Sequence, residues 1–365
     1  MRTLKRLLLT VIICSLLLLC SHLVKTQDVC ETGSSDCSEP AAAEQSSKYS
    51  KPLPLVHLSV VACGDRLEES MIMIKSAVIL STAHVMVHIF ADDDLRPVFQ
   101  KQLETWPDEI RSHLSFKRYP ISFPTSSAYK PDEWRKLFKP CASQRLFIPD
   151  ILRDVDSVLY VDTDILFMRP IEDVWDHFKH FNSSQIAALS PEHESPNAGW
   201  YNRFARHPYY GKLGVNSGVM LMNLTRMRQV GWLDHIIPYY KEYKLKITWG
   251  DQDLINIFFH YFPDKLYIYN CDWNYRPDHC MYMSNCKQAE SNGVSVLHGC
   301  RGVYHNEKQP VFKSIYEAFR DYKFGDDLSK TLLAPMLKSM SKHSSMPCGK
   351  IIQILVGIDL RDSQT

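Results

Sequence analysis

The sequence predicts an α/β fold built on a mostly parallel, doubly wound sheet, and three observations carry that expectation. Short apolar runs bounded by turn residues alternate with segments whose apolar residues recur at helical spacing. Strand, helix, strand, helix and strand are complete before the chain reaches the strand that ends in paired acids. That strand, Val158 to Val161, runs into Asp162 and Asp164, and a doubly wound sheet binds ligands at the carboxyl ends of its strands.

Taken in order, LVHLSVVACG from Leu55 is an apolar run closed by Gly64, the pattern of a buried strand. Leu67, Met71, Ile74, Val78 and Ile79 then recur near helical spacing, and HVMVHIFADD forms a second strand ending at Asp92, Asp93 and Asp94. An amphipathic segment from Pro97 to Leu114 leads to SFKRYPI, the third strand. CASQRLFIPDIL, Cys141 to Leu152, reads as helix up to Pro149, and SVLYVDTDILF is the next strand. No internal repeat is evident, and after about Phe324 the chain is a helix-prone, partly apolar tail.

Ahead of this region, Arg2, Lys5 and Arg6 precede a nearly unbroken apolar stretch from Leu7 to Val24. Its length suits a single membrane-spanning helix, and the basic flank points to a type II signal-anchor with the rest of the chain in the lumen. A cleaved signal peptide is the alternative, but its apolar run is usually shorter and no small-residue cleavage site directly follows Val24. The expected organisation is a cytoplasmic tail (1–6), an anchor (7–24), a Ser-, Glu-, Ala- and Pro-rich stem (25–54), a folded lumenal domain (55–325) and a helix-prone extension (326–365). Residence is in the ER or Golgi membrane.

The 42 Lys and Arg residues balance 41 Asp and Glu, and no basic run concentrates charge, so a nucleic-acid partner is not expected. Two sequons, at Asn182 and Asn223, become glycan acceptors only in the secretory pathway. Of 11 cysteines, Cys271, Cys280, Cys286 and Cys300 form a group dense enough to suggest disulfides, although spacing does not give the pairing. That group contains no C-x-x-C pair, which argues against zinc. Cys63, inside an apolar strand, reads as a buried thiol.

The chemistry centres on Asp162-Thr163-Asp164. Two carboxylates where a buried strand emerges can present oxygens to one hard cation and leave room for phosphate oxygens. A bare Asp-x-Asp is common in solvated loops; the apolar strand before it is what raises its significance, because a buried carboxylate needs a counter-charge.

In order and spacing, HLSVVACG, the Arg145-Leu146 helix, LYVDTDILF, VNSGVMLMNL, GDQDLIN and LHGCRGVYH resemble glycosyltransferase family 8, from Leu55 to about Tyr304. The resemblance implies a GT-A type nucleotide-sugar-binding fold and a retaining, manganese-dependent transferase. By the same resemblance, Asp162, Asp164 and His298 are the manganese ligands, and Cys63, Gly64, Arg145 and Thr163 contact the donor. Asn216, Ser217 and Gly218 line the sugar pocket, with Asp251 and Gln252 beside the transferred sugar. Without the family, the first three are only a turn into a strand and Gly250-Asp251 is a helix N-cap. Where the family motif runs on to Lys-Pro-Trp this chain has Gly299-Cys300-Arg301-Gly302-Val303-Tyr304-His305, so Arg301 is the candidate for the missing lysine at the diphosphate.

The stretches VVACGDRLEE, HPYYGKLGVNSGVMLMNL, ITWGDQDLIN and VLHGCRGVYHN are similar to an animal branch of that family. That branch transfers xylose from UDP-xylose, in α1,3 linkage, to O-linked glucose on EGF-like repeats of Notch-type proteins. The rivals are a family 8 transferase of glucose or galactose, a haloacid-dehalogenase-type phosphatase, and an inactive lumenal binding domain. In the phosphatase class the acidic strand usually opens the fold, whereas about three elements precede it here.

Overall fold

The computed structural model describes residues 53–123, 131–137 and 141–356. Its apolar runs become β1 (Leu55–Ala62), β2 (His84–Ala91) and β3 (Leu114–Pro120), with helix α1 (Leu67–Ile79) between the first two and α2 (Leu95–Glu104) before the third. The expected helix from Pro97 to Leu114 is broken: α2 ends at Glu104 and a separate turn of helix covers Asp108–Ser112. Pro107 is the cause, since the residue before a proline is disfavoured in the helical region. A 3₁₀ segment (Ala142–Phe147) and the short α3 (Ile148–Ile151) lead into β4 (Ser157–Val161).

β1 pairs in parallel with β2 and with β4, and β2 with β3. Val56, Leu58, Val60 and Ala62 on β1 are fully buried and so is Ser59 between them, the near-continuous burial of a sheet covered on both faces. Beyond β4 come β5 (Ile165–Phe167), β6 (Ala187–Pro191), β7 (Val215–Asn223), helix α4 (Asp251–Tyr261), β8 (Leu266–Ile268) and β9 (Val296–His298). The seven-stranded sheet has the order β3-β2-β1-β4-β7-β6-β8. It is mostly parallel, as expected, with one exception: β7 runs antiparallel to both β4 and β6.

β5 does not extend β4. It pairs antiparallel with β9 in a separate two-stranded sheet, with Ile165 opposite His298. Asp162-Thr163-Asp164 is therefore the link between two sheets, and the register of the small sheet delivers His298 to it from more than a hundred residues away.

The tail beyond Asp326 is integral to the body through Val356. Leu332, Leu333, Met336, Met340, Ile354 and Leu355 are buried in one apolar cluster with Tyr304, Phe312 and Phe319. Helices α5 (Pro310–Asp321) and α6 (Ala334–Ser341) carry much of it. Each such side chain contributes roughly 1.5–3 kcal/mol on burial. Val294 N–H also donates to Ile354 O at 2.7 Å.

Three disulfides correct the cysteine reading. Cys63 is not a thiol but is joined to Cys141; Cys271 is joined to Cys286; and Cys280 reaches the tail at Cys348. Cys300 is the free cysteine among the described residues. Long-range pairing was invisible because Cys141 and Cys348 lie far outside the dense group. The anchor and the stem up to residue 52 lie outside the described residues, and among those described no helix is long and apolar enough to cross a membrane.

Replacing Cys348 with serine should lower the unfolding free energy by about 2–5 kcal/mol, the usual cost of losing a native disulfide. Urea denaturation monitored by tryptophan fluorescence checks this, and an unchanged midpoint would mean that the tail is not held by the bond.

Candidate active site

At the carboxyl ends of β1 and β4 a cleft of about 640 Å³ opens. Of the residues expected from sequence to hold donor, metal or sugar, all line it except Gly218: Cys63, Gly64, Arg145, Asp162, Thr163, Asp164, Asn216, Ser217, Asp251, Gln252, His298 and Arg301.

Asp162, Asp164 and His298 come together, each offering a ligand atom within 4.8 Å of the others. His298 Nε2 lies 3.3 Å from Asp164 Oδ1 and 3.8 Å from Asp162 Oδ2. The orientation of the imidazole follows from a chain of hydrogen bonds. Asn216 Oδ1 accepts from the Gly218 N–H at 3.0 Å, which identifies that atom as oxygen, and it also accepts from Asn274 Nδ2 at 2.8 Å. The other end of the Asn274 amide is consequently its oxygen, 2.8 Å from His298 Nδ1. Nδ1 carries a proton, which leaves Nε2 as the nitrogen that faces the two carboxylates and the one a cation would engage on displacing its proton. Burial works against a charge on His298, but Cys300 and Asp164 outweigh it and push its pKa up to about 10, so this point favours positive charge.

Gly218 serves the same imidazole. A Cβ there would stand 2.1 Å from His298 Cε1, so the glycine is the seat of the ring rather than part of the cleft wall.

Arg145 is the second organising group. Buried at 5% exposure, it donates to Asp162 Oδ1 at 2.8 Å and to Ser217 O at 2.6 Å, pairs with Asp251 Oδ2 at 2.5 Å, and stacks 4.3 Å from the Tyr160 ring centre. Burial opposes its charge, and Asp162 and Asp251 hold it cationic. Asp251 is the first residue of α4 and forms no side-chain cap; burial pushes its pKa up to about 6, with Arg145 pulling the other way. Gln252 Oε1 accepts from the Ser217 N–H at 3.1 Å.

Thr163 turns away from the acids and donates to Glu69 at 2.9 Å; Glu69 also binds Arg66 and His305, each at 2.7 Å. Arg301 adopts a left-handed backbone, φ +61°, and its half-exposed guanidinium is 2.9 Å from Asp278. Sparsely populated backbone states of this kind persist where surrounding structure enforces them.

Glu69, Glu192, Trp249, Asn274, Arg276 and Asp278 were not singled out from sequence. Trp249, beside GDQD, had a positional signal; the others enter through tertiary contacts alone. Asn223 caps the helix after β7 by accepting the Arg226 N–H at 2.8 Å, while Asn182 is surface-exposed on a turn and accepts from Ser184 and Gln185.

An acidic pair and a buried histidine meet at the carboxyl end of the sheet, an arrangement suited to holding a divalent cation beside phosphate oxygens. Residues 57–301 match the profile of Glycosyl transferase family 8, and the chain belongs to that family. It is a glycosyltransferase, which ends the phosphatase reading. It is 54% identical over 325 residues to glucoside xylosyltransferase 2 of Mus musculus, covering 86% of this chain and 72% of that one. It is 53% identical over 340 residues to glucoside xylosyltransferase 1 of Homo sapiens, covering 90% and 75%. Among solved structures, mouse xyloside xylosyltransferase 1 in its apo form matches at TM-score 0.52 and 18% identity, over 68% of this chain and 98% of that one. Galactosyltransferase LgtC, in complex with donor and acceptor sugar analogs, matches at 0.55 and 15%, over 74% and 98%. These last two show the shared fold.

Asn274→Ala removes the acceptor that fixes His298. It should weaken divalent-cation binding by about 10- to 100-fold, the range seen when such supporting partners are lost, with the circular dichroism spectrum unchanged. Titration with Mn²⁺ followed by electron paramagnetic resonance measures it; wild-type affinity would remove His298 from the ligand set.

Proposed function

We propose that this chain transfers xylose from UDP-xylose, with retention and in α1,3 linkage, to O-linked glucose on EGF-like repeats of Notch-type proteins in the ER or Golgi lumen. The observation that carries the reading is the identity, above 50% over most of the chain, to proteins named glucoside xylosyltransferase. The donor and acceptor come from that kinship, and the cleft's chemistry is compatible with them.

The residues fit a manganese ion: two carboxylates and one imidazole nitrogen converge, a donor set suited to that metal. Bound there by Asp162, Asp164 and His298, it would supply Lewis-acid neutralisation of the diphosphate. The protein's own groups do the rest. Arg145 fixes Asp162 and Asp251 together, so the acids do not spread when the cleft is loaded. Arg301 stands at the cleft with forked donors suited to phosphate oxygens. Cys63 and Gly64 meet the nucleotide base at the end of β1, and Ser217, Asp251 and Gln252 surround the transferred sugar.

The reaction is a front-face displacement. The acceptor hydroxyl oxygen bonds to the anomeric carbon as the bond from that carbon to the diphosphate oxygen breaks, and the hydroxyl proton passes to that leaving oxygen. A covalent route would need a free carboxylate behind the anomeric carbon. Asp251, a carboxylate lining the cleft, is engaged by Arg145 at 2.5 Å.

Incubating the secreted lumenal chain with Mn²⁺, a panel of UDP-sugars and a β-glucosyl acceptor should give UDP release with UDP-xylose alone, and only when the acceptor is present. Preference for UDP-glucose or UDP-galactose would overturn the donor, and silence with every sugar would leave only a binding domain. Asp164→Asn should reduce transfer at least ~10³-fold without unfolding, the scale of losing a principal electrostatic stabiliser. Asn182 is the glycan acceptor of the two sequons; Asn182→Gln should remove an N-glycosidase-sensitive mass from the secreted protein, and an unaltered mass would refute it.

A further inference from the structure

Tyr201 lies in a short helix, Trp200–Phe204, and is 1% exposed, behind the cleft wall rather than on it. Its hydroxyl sits in a network whose polarity can be read off the partners. Asp253 Oδ1 lies 2.8 Å away and accepts, as a carboxylate oxygen does, while Asp253 Oδ2 takes the backbone N–H groups of Thr248 and Trp249 at 2.6 and 2.7 Å and faces His207 Nε2 at 3.3 Å. The Tyr201 proton therefore points to Asp253. Its oxygen is left to accept, from Asn256 Nδ2 at 2.9 Å and Gln252 Nε2 at 3.3 Å.

Gln252 is thereby gripped at both ends. The Ser217 N–H demands an oxygen on one side at 3.1 Å, and the Tyr201 oxygen demands a nitrogen on the other. An amide with its two ends exchanged would face like against like at both contacts. The seat of the Tyr201 ring is itself specified: Gly214 has φ +69°, and a Cβ there would lie 2.3 Å from Tyr201 Cδ2.

We infer that Tyr201 is a positioning residue for sugar transfer, its hydroxyl fixing which end of the Gln252 amide faces the donor sugar. This rests on the proposed contact of Gln252 with that sugar. Gln252 lines the cleft, and the Nε2 end that Tyr201 fixes has a second hydrogen to offer a sugar hydroxyl. Tyr201 touches no substrate and acts through Gln252.

A double-mutant cycle tests this. Tyr201→Phe should lower kcat for UDP-xylose by about tenfold, the scale of one misplaced hydrogen bond, with KM changed less than about twofold. In a Gln252→Ala background the same substitution should have no further effect, whereas a merely structural tyrosine would slow both backgrounds equally. Gly214→Ala crowds the ring while keeping the hydroxyl; it serves as the second variant should Tyr201→Phe fold poorly, and it too should be silent once Gln252 is gone. Multiplicative losses with a slow Gln252→Ala enzyme would overturn the role of Tyr201 alone. An unimpaired Gln252→Ala enzyme would instead overturn the sugar contact, and the inference with it.

Discussion

A buried guanidinium holds this active site together. Asp162 and Asp251 come from different elements, one from the end of β4 and the other from the start of α4, and close carboxylates repel each other. Arg145 resolves that conflict by binding both, and its third contact, to Ser217 O, ties in β7. Breaking the Arg145–Asp251 pair would cost roughly 3–5 kcal/mol, because the buried charge left behind has no counter-charge. The geometry of the acids is thus set before any ligand arrives, and preorganisation of this kind lets electrostatic stabilisation act without reorganisation during reaction.

The cluster of Asp162, Asp164 and His298 has a different origin. It comes from topology: β4 ends, the chain crosses to a second sheet, and the antiparallel register of β5 with β9 puts His298 opposite Ile165, next to Asp164. The ring is then held from behind by Asn274 and seated against Gly218. Each is an interaction over a long sequence distance, which makes the site dependent on complete folding rather than on any local segment.

That division explains what was legible beforehand. β1 to β4 were readable in their succession along the chain, the buried β1, β2 and β4 as apolar runs, but their order across the sheet was not. The acids were readable because they end such a run. His298, Arg145 and Gln252 were found through family resemblance, since nothing local marks a histidine on a three-residue strand or an arginine inside a 3₁₀ segment. Direction was not legible: VNSGVMLMNL reads the same for a parallel or antiparallel strand, and β7 proved antiparallel. Partners were not legible either. Cys63 looked like a core thiol because its bonding partner is 78 residues away, and Asn274 and Glu69 act only through neighbours that folding supplies.

The bond between Cys63 and Cys141 has a consequence beyond stability. It joins the end of β1, at the floor of the cleft, to the residue just ahead of the 3₁₀ segment that carries Arg145. The redox poise of the compartment is therefore an ingredient of the catalytic geometry. A chain synthesised where glutathione keeps sulfur reduced would lose the covalent tether between the end of β1 and the segment that carries its central cation, and would rely on the contacts of the guanidinium alone.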